Sequence, residues 1–105
     1  NVLISPQGHR AYVGSVFGNA LIEIDTATNA VIKTIDTAKG PNGMTFTSDG
    51  DNILITNIYA GRIQTYNLTA GVVSEGTNAG FLPGFVRLTP DGLKGLMARP
   101  YGQVV

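Results

Sequence analysis

Ser5-Pro6-Gln7-Gly8, Thr47-Ser48-Asp49-Gly50 and Thr89-Pro90-Asp91-Gly92 are three versions of one four-residue turn, and their glycines, at 8, 50 and 92, recur every 42 residues. Pro41 and Pro83 keep the same interval, and so do Phe17, Tyr59 and Tyr101. The second and third copies also share Leu54/Leu96, and the first two match in residue class without a gap. Proline at the second position and glycine at the last suit a type I turn. A fixed period of this length is the mark of a repeat architecture.

Outward from the central turn, one unit reads as four strands. Residues 43–48 form a short strand entering Asp49-Gly50, and 52–58 form a near-continuous apolar strand of the kind covered on both faces. Residues 62–67 alternate, as a half-exposed strand does, and 72–78 are the most polar. Thr69-Ala70-Gly71 matches Ala27-Thr28-Asn29, with glycine or asparagine where a left-handed backbone is expected. Four strands in 42 residues, apolar first and polar last, predict an all-β fold of about 2.5 four-stranded antiparallel β-propeller blades.

The blades divide as 1–42, 43–84 and a half blade 85–105, incomplete at both ends. Asn1 aligns with Gly43 and Phe85, and Val105 aligns with Ile63 and Leu21. Ten strands are expected, with the innermost at 1–5, 43–48 and 85–89, and no helix longer than one turn. The sheet over 43–78 should pack face to face on the sheet built from 1–36. Val86, Leu88, Leu96 and Met97 should each have one poorly covered face.

Composition narrows the function classes. Among 105 residues, 43% are hydrophobic and 13% charged, with seven basic side chains balancing seven acidic ones. The basic residues are scattered singly, so there is no electrostatic footprint for nucleic acid or an anionic membrane. Cysteine is absent, which removes disulfides, thiolate metal sites and a cysteine nucleophile. No apolar run is long enough for a membrane span. Fourteen glycines and five prolines fit a turn-rich β protein.

The segments Arg10-Ala11-Tyr12-Val13-Gly14-Ser15, Leu21-Ile22-Glu23-Ile24-Asp25-Thr26-Ala27-Thr28-Asn29 and Lys39-Gly40-Pro41-Asn42-Gly43 resemble the YVTN-type β-propeller repeat. That group is related to surface-layer, lactonase-like and nitrite-reductase haem-domain propellers. The resemblance is best over 5–57 and weakest over 72–84, where Phe81-Leu82-Pro83-Gly84 replaces the usual link. It implies a fragment of a larger propeller of about six to eight blades, and with no catalytic group in the sequence the expected role is a non-catalytic binding or structural scaffold outside the cytoplasm. Its partners would be the remaining blades of the same propeller, or other chains completing it, and an unknown ligand or protein. The alternatives are part of a propeller enzyme, lactonase-like or haem-binding, and a designed or partner-completed half-propeller.

No catalytic, metal or cofactor constellation emerges. His9, the only histidine, falls in a turn, as do Asp49 and Asp91, whose carboxylates suit local backbone amides. Gly40-Pro41-Asn42-Gly43 lacks the lysine and helix of a phosphate loop. Turns after the second and fourth strands of a blade should share the channel-side face, which gathers Phe17, Asn57, Tyr59, Arg99 and Tyr101 as ligand-binding candidates. Asn67-Leu68-Thr69 is a glycosylation sequon in a turn.

Overall fold

The computed structural model describes residues 1–80 and 82–98. Every regular element in them is a β-strand, and all pairings between strands are antiparallel. The first sheet holds β1 (Val2–Ile4), β2 (Arg10–Ser15), β3 (Ala20–Asp25) and β4 (Val31–Asp36), in that order. The second holds β5 (Pro41–Phe46), β6 (Asn52–Asn57), β7 (Arg62–Asn67) and β8 (Val72–Val73), with β9 (Thr77–Asn78) also paired to β7. A third pairs β10 (Val86–Leu88) with β11 (Gly95–Met97).

The repeated turns close alike. The amides of Gly8, Gly50 and Gly92 donate to the carbonyls of Ser5, Thr47 and Thr89 at 2.8, 2.9 and 2.8 Å. Each glycine has φ between +73° and +80°, the left-handed region that a Cβ penalises. Asn29 and Gly71, paired across the repeat, are also left-handed, at φ 61° and 70°.

Three details depart from expectation. The described residues hold eleven strands, because Ser74, Glu75 and a left-handed Gly76 (φ +83°) split the fourth strand of the second sheet. The inner strand of that sheet runs from Pro41 to Phe46, with a bulge between Pro41 and Gly43. Val86 and Met97 are buried, because they share the face of their hairpin that meets the second sheet, whereas Leu96, across from Arg87, is 52% exposed.

The core lies between the first two sheets. Tyr12, Leu21 and Ile35 come from one side, and Met44, Ile53, Ile55 and Tyr66 from the other. Tyr12 and Phe46 meet edge to face, with ring centroids 6.0 Å apart. Full burial of such side chains stabilises by about 1.5–3 kcal/mol each. The second sheet is covered on its other face as well: β10 lies against β5 and β6, and Thr56 is fully buried. The Thr56 hydroxyl there accepts from the Gly43 amide at 2.9 Å.

Candidate functional site

The β2–β3 and β6–β7 turns emerge on one face, together with the links that join each sheet to the next. Phe17 and Tyr59, at the same repeat position, lie on these turns and stack on one another, with centroids 6.2 Å apart and planes 27° from parallel. They are 87% and 55% exposed, so the pair is a surface feature. Below it, Gly40 turns the first link at φ +78°; a Cβ there would fall 2.7 Å from the Tyr59 ring and 2.9 Å from its backbone nitrogen.

Asn57 is fully buried and supports the face from beneath. It ends β6, and its amide donates to the Ala38 carbonyl at 3.1 Å and to Gln64 Oε1 at 3.2 Å. Gln64 Oε1 also accepts from the Ala38 amide at 2.9 Å, and its own amide donates to the Ser74 carbonyl at 2.9 Å. This clamp ties the first link, the interior of the second sheet and the outer strand together. Asn57 Oδ1 is buried without a partner among the described residues. A ligand therefore meets Asn57 only through the link above it. Arg99 and Tyr101 lie outside the described residues.

Gln64 was legible only as an anomaly, a glutamine where the first unit has Ile22. In the sequon, Asn67 is half-buried. Its amide donates to Asn52 Oδ1 at 3.1 Å, and its Oδ1 accepts from the Ala70 amide at 2.7 Å.

The opposite face carries His9, Asp49 and Asp51 around a cleft of about 430 Å³, floored by Tyr12 and Phe46. Arg10 at its edge pairs with Glu23 at 3.3 Å and lies 3.9 Å from Asp25. Burial, and then the Glu23 carboxylate, push the Tyr12 hydroxyl above its ordinary pKa. Asp49 is held below the usual carboxylate range by the Thr47 hydroxyl and then the Asp51 amide, and Asp91 likewise by Thr89 and Leu93. These bonds are internal to the turns. Among the described residues there is no group of three or more metal-ligating side chains, and no helix long and apolar enough to cross a membrane.

No protein-family model matches the chain, and no curated protein matches its sequence. Solved structures do. Hydrazine synthase from Kuenenia stuttgartiensis superposes with a TM-score of 0.85 at 18% identity, over 92% of this chain and 28% of that one. A protein assigned as a 6-phosphogluconolactonase from Bacteroides fragilis NCTC 9343 superposes at 0.78 and 20% identity, over 93% and 31%. The chain is a stretch of β-propeller. At these identities the likeness is one of fold, and the two full sheets are its blades. The chain spans about a third or less of either neighbour's length.

Proposed function

We propose that the chain belongs to a larger YVTN-type propeller, divided as 1–42, 43–84 and 85–105, that acts outside the cytoplasm as a non-catalytic binding scaffold. The face carrying Phe17 and Tyr59 is its recognition surface. The observation that carries this is the exposed stack: two large aromatics at one repeat position, neither needed by the core, held side by side in solvent. Aromatic side chains supply much of the energy at recognition sites. Tyr101 continues the repeat position of Phe17 and Tyr59 and Arg99 that of Asn57, and both are proposed for the same surface, which Asn57 supports through Ala38.

Further blades, as partners, are supported by the first blade's outer face. Val2 and Ile4 are 59% and 53% exposed, whereas their counterparts 42 residues later, Met44 and Phe46, are buried and partly buried against the first sheet. A second reading is part of a propeller enzyme, lactonase-like or haem-binding, and the neighbour assigned as a lactonase is compatible with the first of these.

The experiment compares the full-length protein with its Phe17→Ala and Tyr59→Ala variants for ligand binding, alongside its visible spectrum and hydrolysis of simple lactones. The proposal expects weaker binding by both variants at unchanged melting temperature, no haem band and no turnover. Turnover or a haem spectrum would favour the enzyme. Unchanged binding would remove the site.

A further inference from the structure

The boundaries between blades differ on the face opposite the aromatic stack. Between the second sheet and the β10–β11 hairpin the repeated turns touch, so that a Cβ on Gly92 would fall 2.8 Å from the Ser48 Cβ. Between the first and second sheets the same repeat positions are Pro6 and Gly50, and they stand apart. Beyond its chain neighbours, nothing lies within 4 Å of a Cβ built on Gly50. The gap is the cleft of about 430 Å³ that Pro6 and Gly50 help to line. Its floor of Tyr12 and Phe46 has no parallel at the next boundary, where the sequence repeats as Leu54 and Leu88. Both sheets that wall it lie in full among the described residues, and its volume is in the range of small-molecule sites.

Carboxylates and a buried hydroxyl set the chemistry of this cleft. Asp49 and Asp51 line one side. The Asp51 carboxylate has no hydrogen-bond or ion-pair partner among the described residues, and Asp49 spends only Oδ1, on the Thr47 hydroxyl and the Asp51 amide. Arg10 lines the other side, but its guanidinium is already held by Glu23, Asp25 and the His9 carbonyl. Even with Lys33, across from Glu23 in the β3–β4 register, two cations meet four carboxylates. Gln7 and His9 complete the rim; each is neutral with both a donor and an acceptor, so neither decides the sign of the field. No three metal-ligating side chains gather closely enough among the described residues to hold a metal ion, so the negative charge is spread. Tyr12 is 4% exposed, and its hydroxyl has no partner among the described residues. That hydroxyl is not sealed in, because among those residues Asn57 Oδ1 is the one polar side-chain atom both buried and unpartnered. The opening that Tyr12 lines is this cleft. Burial, and then the Glu23 carboxylate, keep the hydroxyl neutral, and its oxygen is free to accept.

We infer that this cleft binds a small organic cation, a primary ammonium on an aromatic or short apolar body. The ammonium donates to the Tyr12 hydroxyl oxygen in the field of the surrounding carboxylates, which acts more strongly where water is partly excluded. The body lies against Phe46 and Leu68. This site is separate from the Phe17–Tyr59 face and stands whether or not that face binds a ligand.

The test uses the full-length protein, isotope-labelled for amide NMR and titrated with benzylammonium, benzyl alcohol, benzoate and calcium. Benzylammonium should bind with a dissociation constant on the order of 1 mM, shifting the His9, Gly50 and Asp51 amides. Benzyl alcohol, which lacks the charge, and benzoate, which reverses it, should bind about tenfold more weakly or worse. Raising the salt to about 0.5 M should weaken benzylammonium and leave benzyl alcohol unchanged, because screening removes the advantage of the charge. Asp51→Asn and Tyr12→Phe should each weaken benzylammonium by about threefold at an unchanged melting temperature, since neither removes a hydrogen bond within the described residues. Phe17→Ala should leave its affinity as it was. No shift with benzylammonium, benzyl alcohol or benzoate binding as tightly, calcium shifting the same amides at equal concentration, or full affinity in either cleft variant would overturn the inference. Loss of benzylammonium binding in Phe17→Ala would place the site on the other face, and so overturn it too.

Discussion

The first two blades share register and turns in their inner three strands, and six-residue second and third strands, yet they hold themselves together differently. On the face turned toward the preceding position in the repeat, the second blade buries Ile53 and Ile55 completely, while the first leaves Val2 and Ile4 more than half exposed. At the end of the second strand, the second blade has the Asn57–Gln64 clamp where the first has Ser15 and Ile22. Near the other end of their middle strands, the first uses the Arg10–Glu23–Asp25 charge cluster where the second has a neutral Asn52–Asn67 hydrogen bond. One sequence pattern thus specifies the sheet, and the neighbour specifies how strongly each face is held.

The sharpest way to break this comparison is a matched pair of truncations. Val13 and Ile55 occupy the same repeat position, but only Ile55 is fully buried. In this 105-residue chain Ile55→Ala should cost about 3 kcal/mol and Val13→Ala less than about 1 kcal/mol, read by denaturant unfolding. Equal costs would mean that coverage by a neighbouring blade is not what distinguishes the two positions.

Next comes the clamp. Gln64→Ile copies the first blade's choice but removes one of the two acceptors of the Asn57 amide and the partners of the Ala38 N–H and the Ser74 carbonyl, and should cost about 2–3 kcal/mol. Adding Asn57→Ser, which completes the copy, should recover about 1 kcal/mol of it in a double-mutant cycle. Strict additivity would show that the two side chains are not acting together.

The links give a smaller contrast, of opposite sign. Gly40→Ala forces a Cβ against Tyr59 at a left-handed position and should cost about 2 kcal/mol, whereas Leu82, its counterpart in the second link, is itself left-handed at φ 48°, so Leu82→Gly should gain up to about 1 kcal/mol. Thermal unfolding of the two variants side by side separates them.

The smallest effect is acid sensitivity. Asp49 and Asp91 have lowered folded pKa values, so each adds stability above the ordinary carboxylate pKa that is lost as pH falls through the folded value. The first turn has Gln7 at that position and contributes nothing of this kind. Asp49→Asn should therefore flatten the acid limb of the stability profile, and Gln7→Asn should leave it unchanged.

Most of the fold was legible because it is local and repeated. The turn glycines, the apolar second strands and the left-handed Asn29 and Gly71 are read from residue type and spacing, and the sheets follow from them. The split outer strand was missed because Val72 and Val73 read as the start of a continuous strand, and nothing local marks where Gly76 breaks it. The exposed aromatics at 17 and 59 were visible as a repeat position, although their stacking depends on how two blades meet. Asn57 was taken for a surface residue because it ends a strand. Only the path of the link over it, set by Pro41 and Gly40, places it inside.

The central claim is that the open face of the first blade is a blade interface in the protein to which this chain belongs. Val13→Ala in the full-length protein tests it most directly, by the change in unfolding free energy. If another blade covers that face, the substitution should cost about 2 kcal/mol there, well above its cost in the 105-residue chain. A cost below about 0.5 kcal/mol, the range of surface substitutions, would contradict it.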